Sequence, residues 1–355
     1  MAARTGGGGG RHAKMKNMGL LGLSMAALLA GCVSVETVAP VADEVRLCTT
    51  AEIEALLKQS RDPRTYAVTV YQNEEARTVF VNANRVFPGQ QAILYFVSPR
   101  EVPLPLVEAK VGMGGPATAV LFDTSSRESW TGYDEIAAFG LVPLGAPGFD
   151  QMPSHVVDSL HSYLCLLPSL VLDQVRMDTV LVYARAAHGP LWPLNRASAA
   201  RECRLVLGTL ALQNFSHVQW DFPGRTMMLS SGEAYEPKEE DVLAVLPLLP
   251  GDGPLTVEGQ IDGRQQSIIL DLAGDFELAM EKPPSGLVGQ ASLGDLVFRQ
   301  VRALTSAELG LGSPATARIG ARLLADYRVT LDNRRRVVYI ERPLSGDETP
   351  GPGGS

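Results

Sequence analysis

Val120-Leu121-Phe122-Asp123-Thr124-Ser125-Ser126 is the stretch on which the chain turns. Three apolar residues lead to an aspartate, and three small hydroxyl residues follow it at once. A short apolar run bounded by small polar residues reads as a buried strand. An aspartate at its end sets a carboxylate at the edge of a core, where burial and neighbouring charge govern its protonation. A second stretch repeats the arrangement, Ile268-Ile269-Leu270-Asp271-Leu272-Ala273-Gly274. An aspartate that ends a strand also serves as a plain turn former. The reading favoured here is that the chain folds to bring Asp123 and Asp271 face to face.

The residues around the two aspartates repeat as well. Gly115 lies eight residues before Asp123, and Gly263 eight before Asp271. Downstream, Val206-Leu207-Gly208 precedes Leu212 and Phe215, and Arg318-Ile319-Gly320 precedes Leu324 and Tyr327. The offsets from glycine match, and they suit one face of a short helix after it. Val218-Gln219-Trp220-Asp221 then runs through a turn to Met227-Met228-Leu229. Its counterpart, Val329-Thr330-Leu331-Asp332, runs through Asn333 to Arg336 to Val337-Val338-Tyr339-Ile340. Both read as closing hairpins with an aspartate at the turn. Arg334-Arg335-Arg336 then falls at a solvated tip, and Phe215 and Tyr327 fall in the core.

This ordered set, found twice, resembles the pepsin/retropepsin-like aspartic proteases over roughly residues 106–342. The resemblance implies a mainly β, bilobal acid-protease fold with few short helices. Each copy gives one lobe, and the aspartates meet across a pseudo-twofold axis; the alternative is that each copy is a lobe pairing between chains. The implied chemistry is peptide hydrolysis by two carboxylates that share one proton, because like charges in contact cannot both ionise. One acts as base on a water, the other as acid on the carbonyl, and no metal or organic cofactor is implied.

The resemblance also assigns the residues after each aspartate. Thr124 would brace the two loops, Ser126 would bond a carboxylate, and Ser125 stands where a glycine is usual. The second copy departs: Leu272 has no hydroxyl, Ala273 is acceptable, and Gly274 lacks the third-position hydroxyl. The brace is therefore expected to be one-sided. Two functions stay open. One is a membrane-anchored aspartic-type endopeptidase acting through Asp123 and Asp271. The other is a catalytically inactive relative that binds a peptide or an envelope protein.

At 355 residues the chain has room for two domains, and its 45% hydrophobic content supports a sizeable core. A net charge of -8 argues against nucleic acid as a partner. Arg4, Arg11, Lys14 and Lys16 precede an apolar run, Met18 to Ala30, too short for a comfortable membrane span. The run ends in Leu29-Ala30-Gly31-Cys32, which resembles a bacterial lipoprotein signal. That implies cleavage before Cys32, lipid on its sulfur, and a place in the cell envelope. Since Val33 is not Asp, the expected site is the outer membrane, facing the periplasm, where the cell has one. Cys48, Cys165 and Cys203 remain, so one disulfide is possible. The five histidines show no metal-ligand spacing.

Along the chain, 1–31 is read as the signal and 32–64 as a tether with a short helix. The tether's capping box, Thr49-Thr50-Ala51-Glu52, opens a helix that runs to about Gln59. The first lobe spans 65–232, an acidic linker 233–243, the second lobe 244–343, and a disordered tail 344–355. Strands are expected at Tyr66–Tyr71, Thr78–Val81, Ala92–Val97, Leu106–Val111, Ala117–Asp123 and Thr179–Ala184. Tyr133–Leu141 and Val156–Leu167 are read as helical. Trp130, Tyr133, Trp192 and Trp220 are read as core residues rather than substrate contacts.

Overall fold

In a computed structural model of the chain, each aspartate-bearing strand is the second arm of a hairpin. The structure describes residues 45–72, 78–112, 114–115, 117–145, 154–157, 160–191, 203–251, 253–283, 286–309 and 316–343. The signal segment, Cys32, Trp192 and the 344–355 tail lie outside the described residues. Leu106–Val111 pairs with Ala117–Phe122, and Thr256–Ile261 pairs with Arg264–Asp271. Asp262 and Gly263 turn the second hairpin at φ of 47° and 75°. That is the two-residue turn whose twist suits antiparallel strands.

A parallel strand then lies beside each aspartate strand in the same register. Leu205–Leu207 runs beside Ala117–Phe122 with Leu207 opposite Phe122, so Gly208 follows level with Asp123. Ala317–Gly320 runs beside Arg264–Asp271 with Gly320 opposite Asp271. Neither glycine has room for a side chain. A Cβ on Gly208 would stand 2.2 Å from the Glu128 carbonyl oxygen, and one on Gly320 the same distance from that of Phe276. Each glycine therefore lets a strand press against the loop five residues past its aspartate.

The closing hairpins, His217–Asp221 with Thr226–Ser230 and Arg328–Asp332 with Val337–Glu341, pair with each other. Gln219 and Thr330 are equivalent in the repeat, and they stand opposite each other. Val218 faces Leu331, and Trp220 faces Val329. This register places a pseudo-twofold axis through the Gln219–Thr330 pair. Adding Gln91–Tyr95 on one edge and Val242–Pro247 on the other gives a six-stranded sheet with three strands from each half. The second half otherwise closes into a six-stranded barrel, and the first forms a nine-stranded sheet. One continuous apolar core takes residues from both halves, among them Phe122, Phe215, Trp220, Leu270 and Leu272. Burying each such side chain is worth about 1.5–3 kcal/mol.

The chain is mainly β with few short helices, as expected. The capping box forms: Thr49 and Glu52 close the start of helix Thr50–Lys58 reciprocally. Val156–Leu167, read as helical, is instead strand, in Ser154–Val157 and Leu160–Leu172. Leu164, Cys165, Leu166 and Leu167 are all buried, so both strand faces are apolar and periodicity cannot separate strand from helix. The long strand pairs with Val175–Arg185. After Gly208 a single helical turn forms, Thr209–Leu212, whereas after Gly320 the chain makes successive turns. Tyr66 belongs to a 3-10 turn, Pro63–Tyr66, and the strand starts at Thr69. The second half's first strand starts at Val242, within the expected linker.

Cys48, Cys165 and Cys203 are free thiols, so the disulfide that was possible among them is not made. Cys165 and Cys203 are buried in separate apolar clusters, and burial pushes both thiols up to about 12. No helix among the described residues is long and apolar enough to cross a membrane.

Candidate active site at the junction of the halves

Asp123 follows directly on strand Ala117–Phe122 and is 4% exposed. Its N–H donates to the Leu207 carbonyl at 2.9 Å, which fixes the loop on the parallel strand. Its Oδ1 accepts from the Ser125 N–H and from Ser125 Oγ, both at 2.8 Å. The expected carboxylate partner, Ser126, does something else. Its hydroxyl donates to the Glu128 carbonyl at 3.1 Å and accepts from Trp130 Nε1 at 2.9 Å. Trp130, though partly buried, thus steadies the aspartate loop through Ser126. The hydroxyl one position earlier is nearer because the chain turns tightly after Asp123, as aspartate-led turns do.

Thr124 is fully buried and spans the two halves. Its hydroxyl donates to the Leu270 carbonyl at 2.6 Å and accepts from the Leu272 N–H at 2.9 Å. Its own carbonyl accepts from the Leu255 N–H at 2.8 Å. Leu270 and Leu272 are the two neighbours of Asp271. One hydroxyl, one residue from Asp123, therefore holds both flanks of Asp271. The contact is one-sided, as the missing hydroxyl at Leu272 implies. Leu272 itself is fully buried and packs in the main core.

Asp271 ends strand Arg264–Asp271 and is fully buried. Its Oδ2 lies 3.5 Å from Arg318 Nη1. Arg318 is the position that Val206 fills in the first half. A charged residue in a strand that is otherwise apolar next to glycine was the available signal for this contact. Ala273 belongs to a buried apolar cluster whose other members, among them Leu104, Leu106, Leu121 and Val206, come from the first half, so the Asp271 loop enters that half. A Cβ on Gly274 would lie 3.1 Å from the Asp271 carboxyl carbon and 2.4 Å from the Phe276 ring. A larger residue at Gly274 would therefore have to displace the Phe276 ring.

Chemically, the site offers two buried carboxyl groups on loops tied to one another, with the Arg318 guanidinium beside the second. A further group of side chains lies apart from the two aspartates. Cys48, Glu52 and His188 converge, with ligand atoms within 4.8 Å of one another. His188 lies far from the other two in sequence, so only the fold reveals the group. No protein-family model matches the chain. No curated protein is similar enough to it in sequence to count as a relative.

Proposed function

We propose that the chain is an aspartic-type endopeptidase of the bilobal pepsin/retropepsin-like kind, with Asp123 and Asp271 as its catalytic pair. The observation that carries this is the Thr124 brace, which ties the residue after Asp123 to both neighbours of Asp271. A proton-sharing pair needs its carboxylates held in a fixed relation, and a shared buried hydroxyl does this. In the reaction one carboxylate takes a proton from a water. The water oxygen bonds the scissile carbonyl carbon, and the other carboxyl gives its proton to the carbonyl oxygen. Collapse of the tetrahedral adduct breaks the C–N bond, and the leaving nitrogen takes up a proton. The products are a carboxylic acid and an amine. The chain would act from a lipid anchor on Cys32, on peptides or proteins of the cell envelope.

The second reading, a peptide-binding relative without catalysis, is favoured by Arg318. A guanidinium near Asp271 compensates a carboxylate charge that a shared proton would otherwise relieve. Cleavage of a mixed peptide library by the full chain in detergent, from acidic to neutral pH, separates the two. Hydrolysis lost in both Asp123→Asn and Asp271→Asn supports the enzyme. Hydrolysis unchanged in Asp123→Asn removes it, and peptide capture without hydrolysis by the wild type selects the second reading. The anchor is tested by Cys32→Ser, which should release the chain from the membrane fraction.

A further inference from the structure

We propose that Cys48, Glu52 and His188 bind one divalent metal ion of the zinc class, which clips the N-terminal arm to the first half. This assignment is independent of the peptidase reading. Cys48 and Glu52 belong to the arm at 45–60, while His188 belongs to the body. The arm docks by strand pairing: Arg46 lies opposite His188, Leu47 opposite Ala187, and the Cys48 N–H donates to the Ala186 carbonyl at 3.0 Å. That register sets the thiol and the imidazole side by side. The first turn of helix Thr50–Lys58 brings Glu52 to them.

Thiolate sulfur, imidazole nitrogen and carboxylate oxygen together are a zinc-type donor set. In a tetrahedral site with nitrogen and oxygen ligands about 2.0–2.1 Å from the metal, neighbouring ligand atoms stand about 3.3 Å apart. His188 Nε2 and Glu52 Oε1 stand 3.1 Å apart. All three ligand atoms lie within 4.8 Å of one another, so only a small contraction closes the set.

The supporting contacts have the form that metal-binding histidines use. His188 Nδ1 meets Asp134 Oδ1 at 2.5 Å, which fixes the ring and leaves Nε2 toward Glu52. The Gly189 N–H holds the other Asp134 oxygen at 3.2 Å. Tyr133 packs edge-on against the imidazole, with ring centres 5.0 Å apart. Glu52 Oε2 is engaged by the Thr49 N–H and hydroxyl, so Oε1 is the oxygen left to bind a cation. The Arg46 guanidinium also meets Oε1, at 3.0 Å, and this exposed side chain must swing aside. Binding through the Cys48 sulfur takes the thiolate, so the metal releases the thiol proton. Three protein ligands leave one tetrahedral position for water.

The test titrates the full chain, purified in detergent under reducing conditions, with Co(II) and then Zn(II). We expect one equivalent of Co(II) to give a thiolate-to-cobalt charge-transfer band in the near ultraviolet, bleached by one equivalent of Zn(II). Cys48→Ser and His188→Ala should abolish the band. Asp134→Asn, which leaves all three ligands in place, should weaken Zn(II) binding about 10–100-fold. Hydrogen exchange on the wild type should show residues 46–58 protected by Zn(II). Absence of the band in the wild type would overturn the proposal. So would a band that survives in Cys48→Ser or His188→Ala, or Zn(II) affinity unchanged in Asp134→Asn.

Discussion

Replacing Thr124 by valine removes one oxygen and keeps the shape of the side chain. In the folded protein that oxygen serves the Leu270 carbonyl and the Leu272 N–H, and both residues are fully buried. Each backbone group left without its partner costs about 1–3 kcal/mol, and loss of the hydroxyl's own desolvation offsets part of this. The net expectation is a loss of about 2–4 kcal/mol. Thr124→Ser keeps the oxygen and loses one methyl group, for about 1 kcal/mol. Urea unfolding of the three proteins, with midpoint and slope fitted together, measures both losses. On the peptidase reading Thr124→Val also loosens the aspartate pair and lowers the cleavage rate at least about tenfold, whereas Thr124→Ser preserves most of it. The reasoning is refuted if Thr124→Val is no more destabilising than Thr124→Ser, for then the hydroxyl does not hold the halves together.

Other perturbations reach other parts of the site. Gly320→Ala should cost at least about 2 kcal/mol, because its Cβ meets the Phe276 and Gly274 carbonyl oxygens. Gly132→Ala, with nothing within 4 Å of the added Cβ, should stay within about 0.5 kcal/mol, and thermal melts compare the two. Arg318→Leu strips a buried carboxylate of its cation and should cost about 3 kcal/mol; adding Asp271→Asn should recover part of that loss in a double-mutant cycle. Burial holds the His217 imidazole below its ordinary 6.5, so the unfolded chain binds a proton that the folded chain refuses. Its contribution to stability is complete above 6.5 and is lost as pH falls toward the lower folded value. Urea midpoints at pH about 7.5 and about 5.5 should differ less in His217→Gln than in the wild type.

Much of the site's scaffold was legible because the repeat carries it. The glycines after the two aspartate strands, Gly208 and Gly320, mark places where backbone meets backbone, at equivalent carbonyls, and Gly263 before Asp271 marks a left-handed turn. The Thr49–Glu52 box was legible because a cap is a local device. Leu160–Leu172 was not, because a strand apolar on both faces leaves no period to read. Choosing Ser125 over Ser126 as the carboxylate's partner depends on how tightly the loop turns, which composition does not encode. Arg318 was visible as a charge in an apolar strand, but its target appears only once the strand lies beside Asp271. The Cys48, Glu52 and His188 group has no sequence spacing at all, since the arm's strand pairing creates it.

The most direct test is calorimetric binding of a peptide in which the scissile amide is replaced by a secondary alcohol, compared with the parent peptide. The tetrahedral hydroxyl imitates the adduct that Asp123 and Asp271 are proposed to stabilise, and mimics of that kind bind at least about 100-fold tighter than substrate. A working pair predicts that preference in the wild type and its loss in Asp123→Asn. Equal affinity for both peptides in the wild type, or a preference that Asp123→Asn leaves intact, would contradict it.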